Sequence, residues 1–323
     1  AGMRRREADV TSTTVQSSAP GKVILFGEHA VVYGEPAIAV PMTEVQATAS
    51  VVPAQRGTGL TLLAPDLGET LELSEAPGDA PLALAARLTL DFLGVPAPDA
   101  ALTVRSTIPI ASGLGSGAAV ATALVRALAL FLGHALEPAE TNALVYEVEK
   151  IHHGTPSGID NTVIAYEQPV YFVRGAPTGP VPLSVGAPFL LLVGDTDRPS
   201  PTKQLVSRVR ARRQQDRERV DAIIERIGAI ARQARDAIEA GQVEALGPLM
   251  TENHRLLIKL GVSSTPLDTL VNAACQAGAL GGKLSGAGQG GNMVALVPPD
   301  VEGAVARALR EAGAARILQA AVE

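Results

Sequence analysis

Short apolar or alternating runs fill the first half of the chain, and apolar positions at helical spacing fill most of the second. From Ala19 the segments KVILFGE, AIAVPM, VQATASVV, LTLLAP and TLELS are interrupted by Gly, Pro and Asp, which predicts a mostly antiparallel sheet. In ALTVRST, residues 101–107, Leu102 and Val104 face one side and Thr103 and Arg105 the other, the pattern of a half-buried strand. Helices are predicted over 118–132 and 138–152, followed by strands at VYFV and FLLLVGDT. Over 202–240 Val206, Val209, Val220, Ile223, Ile227 and Ile230 recur at helical spacing among Arg and Glu, giving one long helical stretch with a solvated charged face. EALGPLMTENHRLLIKLG and TPLDTLVNAACQAGAL extend the helical half. A glycine loop, the strand NMVALV, a helix and a last strand near ARILQAAV complete it. The shift from β-rich to helix-rich near residue 186 divides the chain into a polar segment 1–18 expected to lie outside the fold, an N-terminal domain 19–185 and a C-terminal domain 186–323.

Composition narrows the function classes. A chain of 323 residues can bury two cores or one large α/β unit. A net charge of −6 provides no footprint for nucleic acid. The lone Cys275 excludes an intrachain disulfide framework and points to a reducing, cytoplasmic setting. The apolar run ending at Gly133 is broken by Arg126 and rich in Ala, so it falls short of a membrane span, and the polar N-terminal stretch lacks the apolar centre of a signal peptide.

Four stretches carry the chemistry. PIASGLGSGAAVATALVRALALFLG places glycines between a strand and a helix, an order that aims backbone N–H groups and the positive end of a helix dipole at an anion such as a phosphate. The alternative is a tight turn that needs no ligand. The spelling GxxxxGK[ST] is absent from the chain, so a phosphate loop here belongs to a different nucleotide fold. A second loop, KLSGAGQGGNMVALV, contains Gly286, Gly288 and Gly291 in the spacing GxGxxG, but it reads as following a helix and opening a strand, the reverse of a dinucleotide fingerprint. A dehydrogenase is thereby disfavoured.

In EKIHHGTPSGIDNTV, the turn TPSGID can bring Asp160 back toward the helix bearing Glu149. One carboxylate would then suit Mg²⁺ and the other would orient or deprotonate a hydroxyl, although each taken alone reads as a surface or capping acid. His152 and His153 are adjacent on a helix and diverge, which argues against a shared metal. In SAPGKVILFGEHAVVYGEPAIAV, Lys22 follows a Pro-Gly turn at the mouth of an apolar strand, and Glu28 and His29 occupy the next turn. Beside an anion site that lysine becomes a phosphate or alkoxide partner.

Taken together, APGKVILFGEHAVVYG, PIASGLGSGAA, HGTPSGIDN and KLSGAGQGGN, in this order, resemble the blocks of the GHMP small-molecule kinases, and within them the mevalonate kinases. GDTDRPSPTKQLV and LMTENHRLLIKLGVS fill the intervals in the same way, and the likeness runs from residue 18 to the end. It implies an α+β fold of two domains, an N-terminal one resembling domain 2 of ribosomal protein S5 and a ferredoxin-like C-terminal one. ATP and substrate would meet between them. The activity implied is ATP-dependent phosphorylation of the C5 hydroxyl of mevalonate in isoprenoid biosynthesis, with Mg²⁺ accompanying ATP.

Carried over residue by residue, the resemblance makes Asp160 and Lys22 catalytic. It wraps Ser112, Gly113, Leu114, Gly115, Ser116, Gly117 and Ala118 around the ATP phosphates, and assigns Mg²⁺ to Glu149 and Ser116. It places Lys22, Glu28, His29, Asp160, Thr196, Gly286 and Ala287 on the substrate side. A side chain at Gly115 would on this reading intrude on the phosphates. The resemblance names small-molecule partners only, without nucleic acid or membrane, and is compatible with a homodimer.

Two positions depart from the family. Where many relatives read GLGSSAA, the second serine, often a magnesium ligand, is Gly117; where they often have a further glycine in the last loop, this chain has Gln289, expected to face solvent or reach a phosphate. Other readings are a galactokinase-like or other GHMP alcohol kinase, and a catalytically silent GHMP-fold sensor. The presence of Lys22, Glu149 and Asp160 together argues against the sensor.

Overall fold

The computed structural model describes residues 14–109, 112–153, 156–175 and 180–323, with the side chains of 152 and 153 left aside. Its first sheet contains β1 (Val15–Phe26), β2 (Ala37–Pro53), β3 (Leu60–Ala64), β4 (Glu69–Glu72), β5 (Ala100–Ser106), β6 (Val170–Phe172) and β7 (Val181–Pro182). The order is β4-β3-β5-β2-β6-β7, with β1 on the other edge of β2. At 17 residues β2 is long enough for one edge to pair with β6 at Ala37–Ala39 and with β5 at Ala47–Pro53. Every pairing is antiparallel except β3 with β5. β1 begins at Val15, so residues 15–18, expected outside the fold, pair with Thr48–Val51 instead. Val15 and Ser17 are half-buried and Gln16 and Ser18 exposed, an alternation too short and too polar for an apolar pattern to reveal.

Four helices accompany this sheet: α1 (Pro81–Leu93), α2 (Ser116–Phe131), α3 (Pro138–His153) and α4 (Ile159–Tyr166). Helix α2 lies against β1 and β2 on one side and α1, α3 and α4 on the others. It is apolar around most of its circumference, as a helix enclosed by protein must be. Its alanines, Ala118, Ala119, Ala121, Ala123, Ala127 and Ala129, are all buried and let these neighbours approach closely. The N-terminus of this enclosed helix is therefore fixed in place, directly after the first glycine loop.

The second sheet, in the order β11-β8-β10-β9, joins β8 (Phe189–Asp195), β9 (Gly281–Ser285), β10 (Asn292–Val297) and β11 (Arg316–Val322), all antiparallel. With it come α5 (Thr202–Gln215), α6 (Arg217–Glu239), α7 (Val243–Leu260), α8 (Thr265–Gln276) and α9 (Glu302–Glu311). The expected single helix over 202–240 is two: Asp216 ends α5 and caps α6 by accepting a hydrogen bond from Arg219 N at 3.3 Å, a break that needs neither Gly nor Pro. The second glycine loop follows β9 rather than a helix, so it is the turn of the β9–β10 hairpin. One apolar cluster runs from β1 and α2 to Leu191, Ile230 and Val294 of the second half, which holds the two sheets together across the cleft described next.

Candidate active site

A cavity of about 720 Å³ opens where the two sheets meet, lined by the first glycine loop, the start of α4, the turn after β1, the N-terminal half of α5 and residues 285–287. The sequence Ala-Pro-Gly-Lys builds its floor. β1 shifts register between Pro20 and Gly21, an irregularity that tolerates proline. A Cβ at Gly21 would stand 3.3 Å from the Leu114 carbonyl, so glycine there lets the loop close on the strand, and Lys22 N donates to Leu114 O at 2.9 Å. Lys22 is thereby aimed into the cavity with little exposure, and its Nζ lies 3.0 Å from Asp160 Oδ1. Asp160 occupies the first turn of α4, entered through Gly158 at φ 91°.

Glu149, on α3, is buried and lines the same cavity. Burial first, and the neighbouring charge of Asp160 second, push its carboxyl up to about 7, with Lys22 acting in the opposite direction. Such a group lies where positive charge is wanted. The donors available are this carboxylate, the Asp160 carboxylate and the Ser116 hydroxyl at the head of α2; among the described residues no group of three or more His, Cys, Asp or Glu could cage a metal. That set fits Mg²⁺ arriving with a nucleotide, since Mg²⁺ retains waters and phosphate ligands and needs few from protein. A Cβ at Gly117 would lie 3.4 Å from Glu149 Oε1, so the residue that departs from the family borders this carboxylate.

Of the loop residues, Ser112, Gly113, Gly115, Ser116, Gly117 and Ala118 line the cavity, whereas the Leu114 side chain is buried in the core. Gly113 has a φ of 83° and open space where a Cβ would be. Gly115 differs: its Cβ would stand 2.8 Å from Ile164 Cδ1 and 2.9 Å from Lys22 Cγ. A side chain there would meet Ile164 and Lys22 first, so glycine at 115 makes room for Lys22 itself.

The substrate-side expectations divide. Gly286 and Ala287 line the cavity. His29, at φ 61°, is buried, and its ring Nε2 sits 2.8 Å from Ala287 O; burial holds the imidazole below its ordinary pKa, and as the neutral ring it donates from Nε2. Glu28 lines the cavity as well, with a side chain that has no exposure and is ion-paired with Lys283 of β9. Thr196 donates its hydroxyl to Gly291 O at 2.8 Å and is not among the cavity-lining residues. Gln289, at φ 60°, is exposed, its N donating to Val262 O and its side chain to Ser263 O, and it is not among the cavity-lining residues. Residues 1–13, 154 and 155, and the side chains of His152 and His153, lie outside the described residues.

Sequence reasoning missed Lys203 and Arg210, which add positive charge to the cavity wall from α5, and Asn292 and Lys283 beside the second loop. Asn292 is buried and donates from Nδ2 to Ser112 O at 2.6 Å, tying the second sheet to the first loop. The asparagine opening the apolar strand NMVALV was the available signal for Asn292, and Lys283, in Gly-Gly-Lys-Leu-Ser, had none.

Residues 81–168 match the family described as GHMP kinases N terminal domain and residues 234–315 the one described as GHMP kinases C terminal. The mevalonate kinase of Pyrococcus furiosus is 38% identical over 325 residues, covering 93% of each chain. The chain belongs to the mevalonate kinases of the GHMP family. The crystal structure of L. major mevalonate kinase in complex with R-mevalonate superposes on this kinase with a TM-score of 0.83 at 30% identity, covering 97% of both chains. That of the Methanococcus jannaschii mevalonate kinase gives 0.83 at 28% identity, covering 97% of this chain and 99% of the other. The fold of this kinase is therefore the two-domain GHMP fold. No helix among its described residues is long and apolar enough to cross a membrane.

Proposed function

We propose that the chain transfers the γ-phosphoryl group of ATP to the C5 hydroxyl of mevalonate, giving 5-phosphomevalonate, in the cleft between an N-terminal domain 19–185 and a C-terminal domain 186–323. The observation that carries the residue assignment is the 3.0 Å pair of Lys22 Nζ and Asp160 Oδ1 beside the glycine loop at the head of α2. Asp160 accepts the hydroxyl proton as the oxygen attacks phosphorus. Lys22 offsets the negative charge on that oxygen and on the transferred group. Backbone N–H groups of 112–118 and the N-terminus of α2 hold the phosphates, which leaves positioning and charge neutralisation as the main work of the protein.

Glu149 and Ser116 are the residues that would hold Mg²⁺. When bound, the ion supplies positive charge to the phosphate oxygens. Gly286, Ala287 and His29 shape the mevalonate side. A cytoplasmic setting is supported by the lone, partly buried Cys275.

The test is an ADP-release assay with mevalonate, phosphomevalonate, galactose and homoserine. Turnover with mevalonate alone is expected. Comparable turnover with galactose would overturn the substrate, and no turnover with any of the four would favour the silent binder.

A further inference from the structure

We infer that Lys283 is a positioning residue for phosphoryl transfer: by holding Glu28, it prevents that carboxylate from drawing Lys22 away from Asp160 and the transferred phosphate. This rests on the role given to Lys22 above. Glu28 and Lys283 come from different sheets, Glu28 from the turn after β1 and Lys283 from β9, and neither side chain has any exposure. Lys283 Nζ donates to Glu28 Oε1 and to Leu284 O, the latter at 2.6 Å. Glu28 Oε2 is buried and accepts no hydrogen bond.

A buried carboxylate oxygen without a donor attracts any cation within reach. Lys22 lines the same cavity as Glu28, and its charge acts on Glu28 alongside that of Lys283. The groups thus form a series of alternating sign, Lys283, Glu28, Lys22 and Asp160, in which each lysine faces a carboxylate. Removing Lys283 leaves Lys22 as the remaining cation acting on Glu28, and in its ionised form Glu28 then competes with Asp160 for that one ammonium group.

The far end of the series is fixed by the second half of the chain. Leu284 N donates to His254 Nδ1 at 3.2 Å, so the neutral ring carries its proton on Nε2, 3.2 Å from Asp268 Oδ1. Helices α7 and α8 therefore hold the strand that presents Lys283. For stability alone an apolar pair of similar volume serves as well as a buried ion pair, which leaves the placement of charge as its distinctive contribution.

The experiment compares steady-state kinetics and melting of Lys283→Met, of Glu28→Gln combined with Lys283→Met, and of Lys22→Met, all assayed below their melting temperatures. Lys283→Met is expected to lose at least about tenfold in kcat with KM for mevalonate within about threefold, because the loss falls on the transition state. Neutralising Glu28 as well frees Lys22, so the double variant recovers at least about fivefold of that loss. A folded Lys283→Met with wild-type kcat, or a double variant no faster than the single, overturns the proposal. If Lys283→Met does not fold, the double variant, which has no lone buried charge, decides. Its kcat is expected at least about tenfold above that of Lys22→Met, and a folded double variant as slow as Lys22→Met overturns the proposal. A Lys22→Met enzyme with near wild-type kcat instead refutes the role of Lys22 itself, a separate failure.

Discussion

The two glycine loops have similar composition and opposite physics. In the first, residues 112–118, the chain leaves a strand and enters an enclosed helix; Gly113 has open space beside it, and Gly117 touches only a carboxylate oxygen at 3.4 Å. In the second, residues 285–291, the chain turns between two strands, and Gly288, Gly290 and Gly291 are pressed against backbone while Gly286 has open space beside it. A Cβ at Gly288 would stand 2.0 Å from Val262 O, at Gly290 2.5 Å from Pro199 O, and at Gly291 3.0 Å from Ser112 O. Ser200 Oγ donates to Gly288 O at 2.8 Å, Thr196 Oγ1 to Gly291 O at 2.8 Å, and Ser285 Oγ to Ile24 O at 2.9 Å. The first loop is bare toward the cavity at Gly113 and Gly117, while Gly115 makes room for Lys22. The second is bare so that the protein can approach itself, and by way of Asn292 and Ser112 it supports the first.

The largest effect should come from removing the group the first loop serves. Asp160→Asn is expected to lower kcat by about 10² to 10⁴, the usual worth of a positioned general base, while KM for mevalonate changes much less. Steady-state rates with ATP and mevalonate varied separately measure this. A kcat within about threefold of wild type would remove Asp160 from the role of base.

That the first loop could be read from sequence, and the second could not, follows from what each depends on. Strand, glycines and apolar helix are all local patterns, and their order in the sequence is the order the structure has, β5, loop and α2. The second loop looked like the end of a helix because β9, Gly-Gly-Lys-Leu-Ser, has two glycines and a lysine where a strand signal should be; it is a strand because it is wholly buried beside β10. Helix α1 went unplaced, since its leucines and alanines lie between Gly- and Pro-rich stretches of unclear type. Glu28 lay in the right motif, but only the fold could show that a lysine 255 positions later would neutralise it. Burial and long-range pairing are properties of the fold as a whole, and a single sequence records them only indirectly.

The comparison of the loops themselves predicts a difference in stability. Gly288→Ala should destabilise the fold by about 2 to 5 kcal/mol, combining a backbone clash with a side chain at φ 93°. Gly113→Ala, with φ 83° and open space, carries only the strain of about 1 kcal/mol and should instead weaken ATP binding. Thermal melts and nucleotide titration of both variants separate the cases. Equal loss of stability in the two would erase the distinction between the loops.

Glu149 brings in pH. With its carboxyl at about 7, it is protonated in the metal-free enzyme below that value and must ionise to hold Mg²⁺. Lowering the pH from 8 to 6 should therefore raise the Mg²⁺ needed for half-maximal activity by about tenfold, and Glu149→Gln should raise it at pH 8 and flatten its pH dependence. The stability of the metal-free protein runs the other way. A folded value of about 7 against an ordinary 4.5 means this group's contribution is fully present below about 4.5 and lost as pH rises through 7. On this account Glu149→Gln should raise the melting temperature more at pH 8 than at pH 5. Identical pH profiles for the variant and the wild type, in both measurements, would show that Glu149 does not titrate in this range.

The smallest effect expected is also the one that most sharpens the contrast. Gly117 sits in the first turn of α2 without a positive φ, and a Cβ at this position would make ordinary contact with Glu149 Oε1 at 3.4 Å, so Gly117→Ser needs no backbone movement. Replacing glycine inside a helix adds a few tenths of a kcal/mol of stability, and the hydroxyl would join Ser116 as an oxygen beside the carboxylate. We expect the Mg²⁺ requirement to fall by up to about threefold, with kcat within about twofold and the melting temperature unchanged or slightly raised. Magnesium titrations of activity at saturating ATP and mevalonate, paired with melts, provide the measurement. A higher Mg²⁺ requirement or a lowered melting temperature would mean that Gly117, like Gly288, is bare because the protein needs the space, and the first loop would then share the packing logic of the second.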